Sequence, residues 1–214
     1  MHVTDLEFFF DPVCPWAWIT SRWVDEVAKQ RSYDVTWRFI SLRMINEEIG
    51  YGPDSEPWRE AHAAGSRVLR AAAYAREKAG NEAVAGLYTA VGTALHKNGQ
   101  REGFVENTTY YLVDVLSRAG LDPDWANGAD NEDFDAILRE ETDLAFSRTG
   151  KGVGTPILTF KPGQSNEGSF FGPVISQAPR GAEALKLWDA VETLATTSGL
   201  AELKRSRRSA PKFD

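Results

Sequence analysis

The sequence predicts an α/β fold, a small sandwich of short strands and helices interrupted by a long helical block. Three observations predict it. Residues 1–44 read as strand, helix, strand; residues 45–150 carry helical signals alone; residues 151–200 revert to strand, strand, helix. A basic tail, 201–214, completes the chain.

Leu6 to Phe10 is a short aromatic run between Asp5 and Asp11-Pro12, the pattern of a strand buried on both faces. Asp11-Pro12-Val13 is a turn, and Cys14-Pro15 opens a helix, because proline suits a first helical position that lacks an intrahelical N–H partner. Trp16, Ile19, Trp23 and Val27 follow as one apolar stripe. Val35 to Leu42 reads as the second strand, so this start forms a βαβ unit with two parallel strands.

The helical block begins after Met44. Val84, Leu87, Tyr88, Val91 and Leu95 make one stripe, and Phe104, Thr108, Tyr111, Leu112, Val115 and Ala119 another, closed by Gly120 at the C-cap. Asp122-Pro123 caps a short helix, and Phe134, Ile137, Leu138, Glu141 and Ala145 carry the last stripe. Ile157 to Phe160 and Ser169 to Phe171 are then strands joined by the turn-rich Lys161 to Asn166. Ala184, Leu187, Trp188, Val191 and Leu194 mark a final amphipathic helix. Lys204 to Arg208 is a basic run, read as a solvated tail in preference to an arm for an anionic partner.

Composition narrows the function. The chain has 214 residues and 23.7 kDa, 42% hydrophobic and 26% charged, which is enough to build one large core. A net charge of −7 and a pI near 5.1 argue against binding nucleic acid through its phosphates. One cysteine, Cys14, excludes an intrachain disulfide and a cysteine-built zinc site, and His2, His62 and His96 share no metal-ligand spacing. No metal is expected. The N-terminus lacks a basic secretory n-region and no run approaches a membrane-spanning length, so the expected setting is the cytoplasm, where a lone thiol stays reduced.

Cys14 is the leading candidate for chemistry. A thiol at a helix start meets unpaired backbone N–H groups and the positive end of the helix dipole, which favour the thiolate and bring its pKa from about 8.5 into the range ~3.5–7.5. The reading expects that sulfur to be ionised and exposed, and it fails if packed side chains seal the sulfur away from any cavity; the bland alternative is a buried cysteine serving as a small hydrophobe. Thr155-Pro156, entering the third strand, is a candidate cis peptide, with an ordinary trans proline at an edge strand as its alternative. In this topology the loop ahead of that strand ends beside the first helix, where the Thr155 backbone is expected to pair with an extended thiol-containing substrate lying across Cys14.

These segments together resemble a known family. Phe10-Asp11-Pro12-Val13-Cys14-Pro15-Trp16-Ala17-Trp18, the helical block, Val153-Gly154-Thr155-Pro156 and Phe171-Gly172-Pro173 are similar to the DsbA-like branch of the thioredoxin superfamily. Within it, Trp16 to Val27, Ile40-Ser41-Leu42, Leu87 to Gly92, Phe171 to Arg180 and the ending up to Phe213-Asp214 resemble the actinobacterial mycothiol-dependent reductases, also called nitroreductases. The resemblance implies a thioredoxin-like fold with a helical insertion, nucleophilic Cys14 followed by Pro15, and a cis-Pro156. It also implies a low-molecular-weight thiol, mycothiol, as co-substrate, with no tightly bound cofactor. Many members carry Cys-Pro-Trp-Cys, whereas Ala17 stands here at the second cysteine position. The expected cycle is therefore a monothiol one, in which Cys14 forms a mixed disulfide that a second small thiol releases. The expected partners are that thiol and a small electrophile, disulfide or nitroaromatic compound, with no nucleic acid or membrane.

Further residues complete the expected site. Trp16 and Trp18 flank Cys14 as substrate-binding candidates, Trp16 also heading the core stripe. His96 ends a helical stripe, either facing the cleft to tune Cys14 or interacting with the helix dipole. Lys151 precedes the proline loop as a candidate for holding an anionic or sugar-bearing thiol, against the reading of an exposed loop lysine. The helical block is expected to form a lid that sets substrate choice. Two alternatives stand beside this reading: a kappa-class glutathione transferase or 2-hydroxychromene-2-carboxylate isomerase, and a non-catalytic thioredoxin-like binding module.

Overall fold

Five consecutive buried positions explain the first strand. β1 (Leu6–Phe10) is covered on both faces, as its aromatic run predicts. The computed structural model describes residues 4–213; His2 and Asp214, both used in the sequence reading, lie outside the described residues. After β1 come α1 (Pro15–Arg31), β2 (Val35–Phe39), α2 (Leu42–Ile49), α3 (Glu56–Ala79) and α4 (Asn81–Gly92). A π-helical turn at Thr93–Lys97 leads to α5 (Thr108–Arg118), and 3₁₀ turns at Pro123–Asp130 and Glu132–Phe134 lead to α6 (Asp135–Thr149). β3 (Ile157–Phe160), β4 (Gly168–Phe171) and α7 (Gly181–Thr196) close the order.

The chain divides into two compact units. One comprises residues 1–10, 14–38 and 146–214, the other 11–13 and 39–145. The long segment of the second unit runs from 39 to 145, and the helical block read from the sequence from 45 to 150.

The first unit holds the sheet, in order β2-β1-β3-β4. β3 runs antiparallel to β1, with Phe9 opposite Ile157 and Leu6 opposite Phe160, and β4 runs antiparallel to β3. Glu7 is the one charge in β1, and it is buried. Burial opposes its ionisation, but Arg148 and Arg38 outweigh that and hold the carboxyl below the usual glutamate range. Against the sheet, Trp188 of α7 is fully buried among Trp23, Tyr33 and Phe160, with ring centres 4.8 to 5.3 Å away. Gly168 is needed where β4 meets α7: a Cβ there would lie 2.1 Å from the Ala195 carbonyl oxygen.

The second unit is helical and tied by ion pairs. Arg70 of α3 forks onto Asp135 through two 2.7 Å hydrogen bonds, and Arg76 reaches buried Glu141 of α6 at 2.9 Å. Two sequence expectations shift here. β2 stops at Phe39, not Leu42, because the N–H groups that would extend a ladder are taken by side chains. Phe39 N donates to Glu141, Ser41 N to the Thr142 hydroxyl and Leu42 N to Asp11; the Ser41 hydroxyl then caps α2 at Met44 N. Likewise Phe104 is not helical: Asn107 caps α5 by accepting from Tyr110 N, and Phe104 packs its ring edge-on against Tyr111 from the preceding turn.

The Trp188 cluster yields a stability prediction. Trp188→Ala is expected to lower unfolding free energy by about 3–5 kcal/mol, the usual cost of emptying a buried aromatic site. Urea unfolding followed by far-UV circular dichroism measures it.

Candidate active site

Cys14 is the N-cap of α1, with extended backbone (φ −76°, ψ 112°) and Pro15 in the first helical turn. Its Sγ accepts a hydrogen bond from Ala17 N at 3.4 Å and donates one to the Thr155 carbonyl at 3.5 Å. One unsatisfied donor of the helix start is therefore aimed at sulfur, where it stabilises negative charge together with the helix dipole. The expectation of an exposed sulfur is corrected: Cys14 is 8% exposed, since it packs between the helix start and the Thr155 backbone.

The proline loop reaches this point through the β1–β3 ladder. Phe9 is the last paired residue of β1, and two positions before its partner Ile157 the Thr155 hydroxyl donates to the Phe9 carbonyl at 3.0 Å. The Thr155–Pro156 and Gly172–Pro173 bonds are both cis. Gly172 N donates to the Pro156 carbonyl at 2.8 Å, linking the two proline segments.

The other predicted site residues divide. Trp18 is buried, with the Arg22 guanidinium 4.1 Å from its ring centre. Trp16, expected to head the core stripe, is only half-buried; full burial along that stripe begins with Ile19 and continues through Trp23 and Val27. Lys151 is exposed in the loop ahead of β3.

His96 lies in the π-helical turn, buried, with Nε2 donating to the Pro12 carbonyl at 2.8 Å. Burial lowers its pKa to about 4, despite that hydrogen bond. Burial thus favours the neutral ring near pH 7.

Asp11 was read only as a turn former. The structure buries it completely, its carboxylate accepting from Val13 N at 3.0 Å and Leu42 N at 2.8 Å. Burial raises its pKa to about 7 against the opposing pull of those two N–H groups. The bond to Val13 is an Asx-turn, legible from Asp-Pro-Val; the partner at Leu42, 31 residues away, is not. Gly65 of α3 admits this turn, because a Cβ there would meet Val13 at 3.0 Å and the Asp11 carboxylate at 3.1 Å.

Comparison with known proteins fits this geometry. The sequence profile of the family described as "Mycothiol-dependent nitroreductase Rv2466c" matches residues 13–205. The chain belongs to that family. It is a thiol-dependent oxidoreductase with a DsbA-like thioredoxin fold. An uncharacterized protein of Mycobacterium tuberculosis, Rv2286c, is 31% identical over 209 residues, covering 97% of this chain and 84% of its own. Among solved structures, the cytosolic disulfide reductase DsbM of Pseudomonas aeruginosa with GSH superposes with a TM-score of 0.53 at 18% identity, covering 77% of this chain and 88% of its own. Pseudomonas aeruginosa DsbA superposes with a TM-score of 0.50 at 17% identity, over 88% of this chain and 82% of its own. Among the described residues, no helix is long and apolar enough to cross a membrane.

Asp11 and His96 make opposed contributions to stability. Asp11 titrates near 3.8 unfolded and about 7 folded, so between those values only the folded chain holds its proton and stability falls as pH rises. His96 titrates near 6.5 unfolded and about 4 folded, so across that window only the unfolded chain is protonated and stability rises with pH. Each slope is at most about 1.4 kcal/mol per pH unit. Urea unfolding from about pH 5 to 6.5 is expected to show stability climbing more steeply with pH in Asp11→Asn than in wild type, and less steeply in His96→Gln.

Proposed function

We propose that the protein runs a monothiol cycle at Cys14, with mycothiol as the reductant, in a cytoplasmic setting. The observation that carries this reading is the Ala17 N–H directed at Sγ of the chain's one cysteine, with alanine where a resolving thiol would stand. Cys14 thiolate attacks one sulfur of a disulfide, forming the mixed disulfide and expelling the other sulfur as a thiolate. A mycothiol thiolate then attacks the substrate sulfur of that intermediate, forming a new disulfide and regenerating Cys14 thiolate. No second cysteine competes for the intermediate, so the small thiol must complete every turnover.

The roles of the surrounding groups follow. Pro15 starts the helix whose field favours thiolate. The Thr155 carbonyl, which receives the Cys14 S–H in the resting protein, loses that donor on ionisation and becomes available to a peptide-like N–H of the bound thiol. Half-buried Trp16 offers aromatic surface to an organic substrate, with buried Trp18 two positions further along the helix, and exposed Lys151 offers a cation for an anionic or hydroxyl-rich thiol. With a nitroaromatic substrate, reducing one nitro group to nitroso oxidises two mycothiol molecules to one disulfide and releases one water.

Intact-mass measurement after incubation with oxidised mycothiol tests the reading. One mycothiol adduct on Cys14, discharged by added thiol, is expected, and Cys14→Ser should show neither adduct nor turnover. Turnover at the wild-type rate in Cys14→Ser would overturn the proposal.

A further inference from the structure

The tail is solvated along its basic run and held near its end. Residues 201–210 are exposed and lack regular structure, but the segment beyond them is anchored. Lys212 N donates to the Ser176 carbonyl at 2.7 Å. Half-buried Phe213 joins Trp18, Ile19, Arg22 and Ala178 in lining a hollow. The Arg208 guanidinium lies 6.0 Å from the Trp16 ring centre, at the outer reach of a cation–π contact.

Those anchors lie on the helix that Cys14 caps and on the segment that follows Gly172. Trp16, Trp18, Ile19 and Arg22 occupy the first two turns of the helix that Cys14 caps. Ser176 and Ala178 belong to the segment that starts at Gly172, whose N–H is bonded to the Pro156 carbonyl. The tail therefore ties the start of α1 to the segment flanking the proline loop, beside a sulfur that is nearly covered. Residues 201–214 also hold five basic and two acidic side chains in a chain of net charge −7, so the attraction expected between this tail and the acidic remainder is one that salt screens.

We propose that residues 201–213 form a strap that limits the size of the reagent reaching Cys14, so that small-molecule disulfides are admitted and disulfides of folded proteins are excluded. This rests on Cys14 being the nucleophile and adds a substrate class to that reading. Arg208 and Phe213 are the latches, and the side chains they meet, Trp16, Trp18, Ile19 and Arg22, stand two to eight positions along the helix that Cys14 caps. A strap closed in about nine molecules of ten slows a reagent that needs it open about tenfold and leaves a small one nearly unaffected.

Labelling by two maleimides of different size measures this without turnover. Rates of Cys14 modification by N-ethylmaleimide and by a long polyethylene-glycol maleimide are compared in wild type, in a chain ended after Leu200, and in the full-length double variant Arg208→Glu with Phe213→Ala. The N-ethylmaleimide rate is expected to change less than about twofold, while the large reagent gains about tenfold in both variants and in wild type at high salt. The full-length double variant, with an unchanged circular dichroism spectrum, decides the matter if the shortened chain fails to fold. An unchanged ratio of the two rates in that variant overturns the strap, as does failure of both reagents to label Cys14 once the strap is removed. Loss of the mycothiol adduct alone would overturn the monothiol cycle and leave the labelling ratio intact.

Discussion

The sulfur of Cys14 is held between two backbone groups, the Ala17 N–H and the Thr155 carbonyl, and the chemistry depends on that pairing. The first group favours thiolate and the second accepts the thiol proton, so the two protonation states each find a partner. Neither of these two contacts uses a charged side chain. The antiparallel register of β1 on β3, with Phe9 opposite Ile157, brings a carbonyl 141 residues distant to the start of α1. A one-residue slip would turn every side chain of the ladder over and carry Thr155 away from Phe9.

Buried carboxylates recur where the backbone must stop or turn. Glu141 takes the N–H of Phe39 and so ends β2, and Asp11 takes that of Leu42 near the start of α2. Burial penalises both charges, but each also accepts more than one hydrogen bond, Glu141 from Arg76 as well and Asp11 from Val13. Glu7 differs: it lies within β1 and is balanced by the guanidinium groups of Arg38 and Arg148. Glu141 and Asp11 act through backbone geometry, and Glu141 gives β2 a definite end.

The outline of the fold was legible because it rests on local signals. The aromatic run of β1, the Cys14-Pro15 helix start, the stripe of α4 and the α7 stripe around Trp188 each declare themselves by periodicity or capping. The family resemblance was carried by contiguous strings, Phe10 to Trp18 above all, and the family profile spans residues 13–205. Expectations shifted where distant groups intervened. β2 was read three residues too long because its terminating acceptors, Glu141, Thr142 and Asp11, lie far along the chain. Trp16 was assigned to the core because helical spacing specifies a face without saying what covers it.

The sequence alone determined that this chain holds one thiol at a helix start and that no second cysteine can close a disulfide with it, for both follow from residue identity and a local proline rule. It also determined the alternation of strand and helix, since side-chain period is a property of short segments. Tertiary structure decided how far the sulfur is covered, that Asp11 and His96 are buried, and that the end of the tail, at Phe213, meets the first turns of α1. Those are outcomes of contacts between residues tens to nearly two hundred positions apart. Burial and the electrostatics it controls are set by which distant segments meet, and no local pattern encodes that.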